Sequence, residues 1–322
     1  MERRGSERPV PIPSPQSRDA ALTREMMREG QTFAGRSRVV LYANFVKLPH
    51  TVFALPFALV GATLATYRVM PTIAQLGWIV LAFTAARFAA MGFNRIVDRD
   101  VDALNPRTKM RELPSGALGV GEASATVALA CALFVIAAWR LNPLCLALSP
   151  VALACVLVYS YCKRFTRWSH LVLGLGLSIA PVGGYLALTG RWSEPWWLLC
   201  ALALAVITWS GGFDILYALQ DEAFDRAHGL HSLPSALGVP RALALSRLLH
   251  VGTVAFLTIA GIGAHATWIW FAGAGVVAAL LLWEHSLVKA GDLSKLDAAF
   301  FTMNGVISMV FLAFVVAERL VA

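Results

Sequence analysis

Long apolar runs separated by short polar stretches make up most of the chain. The runs fall near 48–67, 73–97, 121–139, 143–161, 168–189, 195–219, 241–263, 267–288 and 299–317. A helix needs about 20 residues to cross about 30 Å of hydrocarbon. Lipid offers no water to backbone polar groups, so only helices and closed barrels span it. These runs are long and lack strand alternation, which selects helices. The pattern therefore predicts an all-α polytopic membrane protein, a bundle of nine transmembrane helices. The short connections leave no room for a second domain, so 39–322 reads as one nine-helix unit. Residues 1–38 are rich in Arg, Pro, Ser and Glu without apolar periodicity and read as a disordered tail. No apolar stretch follows the first basic residues, so a cleaved secretory signal is not expected.

Composition sharpens this reading. The chain is 58% hydrophobic and 14% charged, against roughly 45–50% and about 25% for a soluble domain. An ordinary soluble enzyme and a disordered chain are both excluded. The net charge is +8, and its distribution says why. Of the 27 Lys and Arg, 22 fall in the tail and the even-numbered loops, and only Arg68, Arg140, Arg191 and Arg319 fall on the other side. Arg87 lies within the second run. This asymmetry puts the tail and the even loops in the cytoplasm; the expected location is a bacterial-type inner (plasma) membrane. Basicity is thus a topology signal, with no nucleic-acid partner implied. The five cysteines have no paired spacing and read as small hydrophobes. The seven histidines show no two-His spacing with an adjacent acid, so metal ligation by histidine is not expected. Gly174, Gly176, Gly183 and Gly184, in the fifth run, either permit close helix packing or widen a tunnel.

Chemistry concentrates at two acidic clusters. Asn94, Asp98 and Asp102 close the second run at i, i+4 and i+8, so a continuing helix lines them along one face. Asp214, Tyr217, Asp221 and Asp225 close the sixth at i, i+3, i+7 and i+11. Like charges on one stripe repel by about a few tenths of a kcal/mol per pair. Two such stripes on the same side of the membrane make sense if a cation sits between them. Carboxylate and carboxamide oxygens suit Mg²⁺, which commonly bridges carboxylates to a substrate phosphate.

Cations complete the pattern. Arg107, Lys109 and Arg111 follow the first cluster, and Lys163 and Arg164 end the fourth run on the same side, with Tyr159 one turn behind. Lys47 and Arg87 stand inside or at the edge of apolar runs, where an unpaired cation is costly. Arg87 precedes Asn94 by seven residues and shares its face. Arginine suits bidentate phosphate or carboxylate recognition, and lysine a point contact. Acids with cations beside them at a membrane face describe a polyanion site, and a lipid diphosphate fits it.

These residues resemble the UbiA-type intramembrane aromatic prenyltransferases, in particular the 4-hydroxybenzoate polyprenyltransferase branch with its menaquinone-pathway relatives. The resemblance is carried by His50-Thr-Val-Phe-Ala-Leu-Pro-Phe57, by Asn94…Asp98…Asp102 running into Asn105-Pro-Arg-Thr108 and Arg111-Glu-Leu-Pro-Ser-Gly116, by Tyr159-Ser-Tyr-Cys-Lys-Arg164, and by Asp214 through Asp225 to Gly229-Leu-His-Ser-Leu-Pro234. It implies a bundle around a central active-site cavity holding two Mg²⁺ ions. The metal positions would be Asn94, Asp98, Asp102, Asp221 and Asp225, with Asp214 serving as a ligand or in deprotonation. Lys47, Arg107, Arg111, Lys163 and Arg164 would neutralise the diphosphate of a polyprenyl donor. Arg87, Tyr159 and Tyr217 would face the acceptor, with Arg87 or Arg111 holding its carboxylate. Two positions depart from the pattern: Arg95 stands where many members have Asp, and Glu112 where many have Pro. Such variants look more like the futalosine-route menaquinone enzymes than the ubiquinone ones.

The reaction implied is Mg²⁺-dependent transfer of a polyprenyl group from its diphosphate to a ring carbon of 4-hydroxybenzoate or a similar hydroxy-aromatic carboxylate, in respiratory quinone (ubiquinone or menaquinone) biosynthesis. Two alternatives stand beside it. One is a haem or chlorophyll prenyl- or phytyltransferase of the same fold. The other is a transporter, which predicts broken helices and charges near the bilayer midplane; clustering of the acids at one face favours the enzyme.

Overall fold

The computed structural model describes Phe33, residues 37–289, 291–293, 296 and 298–321. Residues 1–32 and 34–36 of the expected tail, and Lys295 of the charge tally, lie outside the described residues. The order of helices is α1 Arg38–Phe45, α2 Leu48–Ala65, α3 Ile73–Leu104, α4 Val120–Leu141, α5 Pro143–Cys162, α6 Ser169–Thr189 and α7 Trp197–Ala218. A 3₁₀ turn, Leu219–Asp221, leads into α8 Glu222–Ala227 and α9 Leu233–Leu237. Then come α10 Val239–Gly263, α11 Trp268–Leu287, a π-turn Ala298–Met303 and α12 Asn304–Val321. The all-α expectation holds among the described residues, where strand-like pairing is confined to one isolated bridge, Lys289 to Asp292.

Eight helices among the described residues are long and apolar enough to cross a membrane. The chain is a multi-pass membrane protein. The expected first span of nine is the helix α2, whose described apolar stretch, Ala54–Ala65, is shorter than a crossing. The short helix α1 starts inside the expected tail. Its Asn44 side chain accepts from the Phe33 amide at 3.0 Å and donates to the Phe33 carbonyl at 2.9 Å.

Two local features position the polar residues. α3 opens on a capping box, in which Thr72 and Gln75 satisfy each other's backbone amides. It then runs 32 residues, about 48 Å at 1.5 Å per residue. That exceeds the hydrocarbon thickness, so the helix is longer than one crossing needs, and its last turns carry Asn94, Asp98 and Asp102. Between α1 and α2 the chain turns at Lys47, whose φ of 48° is left-handed. A side chain there costs about 1–2 kcal/mol, and the turn leaves Lys47 only 7% exposed.

The most buried span is α7, with Trp209 and Phe213 packed against Phe57 and Phe300. Glycines let the neighbouring helices close on it. On α6, Gly174 abuts the Ile207 carbonyl of α7 and Gly184 the Ala58 carbonyl of α2, while Gly61 of α2 abuts the Pro181 carbonyl. A Cβ fits at none of the three. Gly176 and Gly183 have room for a Cβ and, with Gly184, border a cavity, so the four glycines differ in whether a side chain could be added.

Candidate active site

Two cavities run through the bundle. One of about 170 Å³ is polar and lies where α3, α5 and α7 end; it is bordered by Lys47, Asp98, Asp102, Arg107, Arg111, Lys163, Asp214, Tyr217, Asp221 and Asp225. The other, about 380 Å³ and mostly apolar, runs between α3, α4, α5 and α6 as far as Trp192. Arg87, Met91, Asn94, Tyr159, Leu173 and Leu177 border both. All fourteen residues assigned a site role from the sequence line the polar cavity, while Lys109, the other cation beside the first cluster, does not.

The first acidic cluster sits on one unbroken helix, with Asn94 Nδ2 donating to Asp98 Oδ2 at 2.8 Å. The second does not. Asp214 and Tyr217 are on α7, Asp221 closes the 3₁₀ turn and Asp225 lies on α8. The single stripe expected from i, i+3, i+7, i+11 is therefore interrupted, because the chain tightens after Ala218 where Asp221 meets partners from another segment.

That segment, 105–118, joins α3 to α4. Asn105 Nδ2 donates to Asp221 Oδ1 at 3.1 Å, and the Asn105 side-chain oxygen accepts from the Arg107 amide at 2.9 Å. Arg107 then donates to Asp221 through Nε at 2.9 Å and Nη2 at 2.5 Å. Arg111 Nη1 bridges both oxygens of Asp102, at 2.7 and 2.8 Å. Arg164 reaches from the end of α5 to Asp98 at 3.4 Å and to the Val97 carbonyl at 2.8 Å. Each of these three acids thus holds a guanidinium. Tyr217 gathers more charge, with Lys47 Nζ 5.5 Å and Arg107 Cζ 5.3 Å from its ring centroid and Phe300 stacked on it at 4.2 Å.

The fields differ from cation to cation. Burial, then the charges of Arg111, Arg95 and Arg107, hold the Lys47 ammonium well below its usual range. Burial also penalises Lys163, but Asp225, Asp214, Asp221 and Asp98 outweigh it and raise that ammonium above its ordinary value. Burial is outweighed for Arg107 too, by Tyr217 and Asp221.

One residue without a sequence signal completes the site. His170 is fully buried at the start of α6 and lies 2.7 Å from Asp214 through Nδ1. Its Nε2 faces the Leu233 amide at 3.3 Å. An amide can only donate, so Nε2 is the bare nitrogen and the proton sits on Nδ1, aimed at Asp214. His170 is 44 positions from Asp214, and no spacing announces the pair.

Comparison with known proteins decides the lineage. The model of the UbiA prenyltransferase family matches residues 54–306. The chain belongs to the UbiA prenyltransferase family. It sits with the 4-hydroxybenzoate polyprenyltransferase branch. It is 32% identical to the 4-hydroxybenzoate octaprenyltransferase of Sodalis glossinidius over 75% of this chain and 82% of that one. It is also 32% identical to the mitochondrial 4-hydroxybenzoate polyprenyltransferase of Caenorhabditis elegans, over 67% of this chain but only 60% of that protein's length. The apo structure of a UbiA homolog from Aeropyrum pernix superposes with a TM-score of 0.76 at 33% identity, over 84% of this chain and 98% of the other. A homolog from Archaeoglobus fulgidus, solved with DMAPP and Mg²⁺, shares the fold at a TM-score of 0.67 and 22% identity, over 87% and 99%. The chain is accordingly a membrane polyprenyltransferase.

The family's two expected departures prove to be one feature. Arg95 and Glu112 face each other at 3.5 Å, both 4% exposed at the side chain. The donor set also fits the metal its relative carries. Every candidate ligand is an oxygen, as Mg²⁺ requires, and Asp225 Oδ2 is a buried acceptor with no hydrogen-bond partner. Among the described residues no three acids converge closely enough to hold an ion as they stand; guanidiniums lie against Asp98, Asp102 and Asp221 instead.

Proposed function

We propose that this UbiA-family protein transfers a polyprenyl group from a polyprenyl diphosphate to a ring carbon of 4-hydroxybenzoate or a similar hydroxy-aromatic carboxylate, with Mg²⁺, in ubiquinone or menaquinone biosynthesis. Residues 39–322 form the catalytic domain, and the tail and site loops face the cytoplasm at the inner membrane. The observation that carries this reading is the meeting of a cationic, acid-lined cavity with a long apolar one at Arg87, Asn94 and Tyr159. A diphosphate belongs in the first, its isoprenoid tail in the second, and the reacting carbon at the junction.

Lys47, Arg107, Arg111, Lys163 and Arg164 bind the diphosphate oxygens. Asn94, Asp98, Asp102, Asp221 and Asp225 would hold the ions. Bound Mg²⁺ supplies charge neutralisation that makes diphosphate a better leaving group. The allylic C–O bond breaks, the electron pair leaves with diphosphate, and the ring carbon beside the phenol oxygen forms the new C–C bond. Apolar walls keep water from the allylic cation. Arg87, whose Nε is buried without a partner at the junction, takes the acceptor carboxylate, with Tyr159 and Tyr217 lining its place. Asp214, held by the neutral His170, accepts the ring proton.

Purified protein should join labelled polyprenyl diphosphate to 4-hydroxybenzoate or a related acid in a panel of acceptors, and lose that activity on chelation. Transfer confined to a haem or chlorophyll precursor would overturn the acceptor assignment.

A further inference from the structure

The Arg95–Glu112 pair has no place in the chemistry described so far. Arg95 lies one α-helical turn behind Asp98 and two behind Asp102 on α3, and borders neither cavity. Glu112 lies in the segment 105–118, next to Arg111. Arg95 Nε and Nη1 and Glu112 Oε2 have no hydrogen-bond partner. The two therefore hold each other by charge alone, in a place that water does not reach. Burial makes each dependent on the other, because removing one partner strands the second charge. The segment has other ties to α3: the Asn105 amide donates to the Val101 carbonyl at 3.2 Å, Thr108 Oγ1 donates to the Asp102 carbonyl at 3.0 Å, Arg111 reaches the Asp102 carboxylate, and Leu113 and Leu118 share an apolar cluster with Phe88, Met91 and Ile96. The Arg95–Glu112 pair is the buried ionic one set apart from the cavity.

We propose that the Arg95–Glu112 pair is a positioning device that braces segment 105–118 on α3, so that Arg107 and Arg111 face the diphosphate. It also keeps Glu112 from pairing with Arg111 and Arg95 from pairing with Asp102. A freed Glu112, adjacent to Arg111, competes with Asp102 for that guanidinium. A freed Arg95, two turns from Asp102 on the same face, competes for the carboxylate. Arg95 and Glu112 border neither cavity; their effect passes through Arg107 and Arg111, and the Arg95 charge is also felt at Lys47.

The inference rests on the prenyl-transfer reading, and a double-mutant cycle separates the two. Arg95→Met and Glu112→Met singly should speed amide exchange across 105–116 and raise the donor KM roughly tenfold, a coupling ordinary for contacting residues. Turnover at saturating donor should stay within about twofold, which loss of folded protein would not allow. The double variant strands no charge, and should recover both exchange and KM toward wild type. Should Arg95→Met fail to accumulate in the membrane, Arg95→Lys keeps the charge and should show the same changes in milder form. Singles with wild-type exchange and KM, or a double as impaired as the product of its singles, would overturn the brace. If the wild-type protein transfers no prenyl group, the functional reading falls, and amide exchange still decides the brace.

Discussion

Arg107 grips Asp221 by both carboxylate oxygens while its third nitrogen donates to the Tyr217 hydroxyl at 3.1 Å. A guanidinium held by a carboxylate and a phenol is aimed before any substrate arrives, and preorganised charge of this kind costs no rearrangement at the moment of reaction. Asp98→Ala and Asp221→Ala should each lower turnover by at least about 100-fold, the scale of losing a preorganised electrostatic group, with folded protein still in the membrane. Arg107→Ala should instead act first on donor KM. Initial rates on purified variants of matched folded content are the check, and near-normal turnover by both Asp variants would remove the acids from the chemistry.

Lys47 gives the site a pH dependence. Its ammonium is held well below the ordinary lysine value by burial and three guanidiniums, that ordinary value being about 10.4. The protonated form binds diphosphate, and the proton leaves as pH rises through the lowered pKa. Donor KM should therefore climb on an alkaline limb that begins well below that of a free lysine. Arginine stays charged throughout, so Lys47→Arg should flatten the limb. A limb that survives the substitution belongs to another group.

His170 and Asp214 should behave as a unit. His170→Ala removes the N–H aimed at Asp214 and strands the Leu233 amide, so turnover should fall roughly tenfold or more. Groups that act together are not additive. In an Asp214→Asn background the same His170 change should therefore cost little further. Full multiplication of the two losses would show that His170 serves only the packing of α6.

What was legible in the sequence follows from how local the cause is. Asn94, Asp98 and Asp102 could be placed because α3 stays helical through all three, and helical spacing needs no distant partner. The break at Asp221 could not, since it answers to Asn105 and Arg107 more than a hundred residues away. Charge bookkeeping found the cations of the site but not their pairing, because a bidentate contact depends on where a loop folds. Arg95 and Glu112 were visible as two oddities and became one object only when the loop lay on α3. His170, a lone histidine at a helix start, had nothing nearby to mark it. The first apolar run was legible for the same local reason as α3: read as 48–67, it is the helix α2, Leu48–Ala65.

Two adjacent glycines of α6 should respond oppositely to enlargement. Gly184 touches the Ala58 carbonyl, with no space for a methyl group. Gly184→Ala must push α6 from α2, costing about 1–3 kcal/mol as overpacking does, and should lower the melting temperature whatever the donor. Gly183 has open space around its missing side chain and borders the apolar cavity. A leucine there fills room rather than colliding, so Gly183→Leu should leave thermal stability near wild type and shorten the path open to the isoprenoid. Short donors should then keep their rates while long ones lose kcat/KM, a split read by assaying a ladder of prenyl diphosphates. Equal loss across the ladder would mean that the tail does not pass Gly183, and would move it out of this cavity.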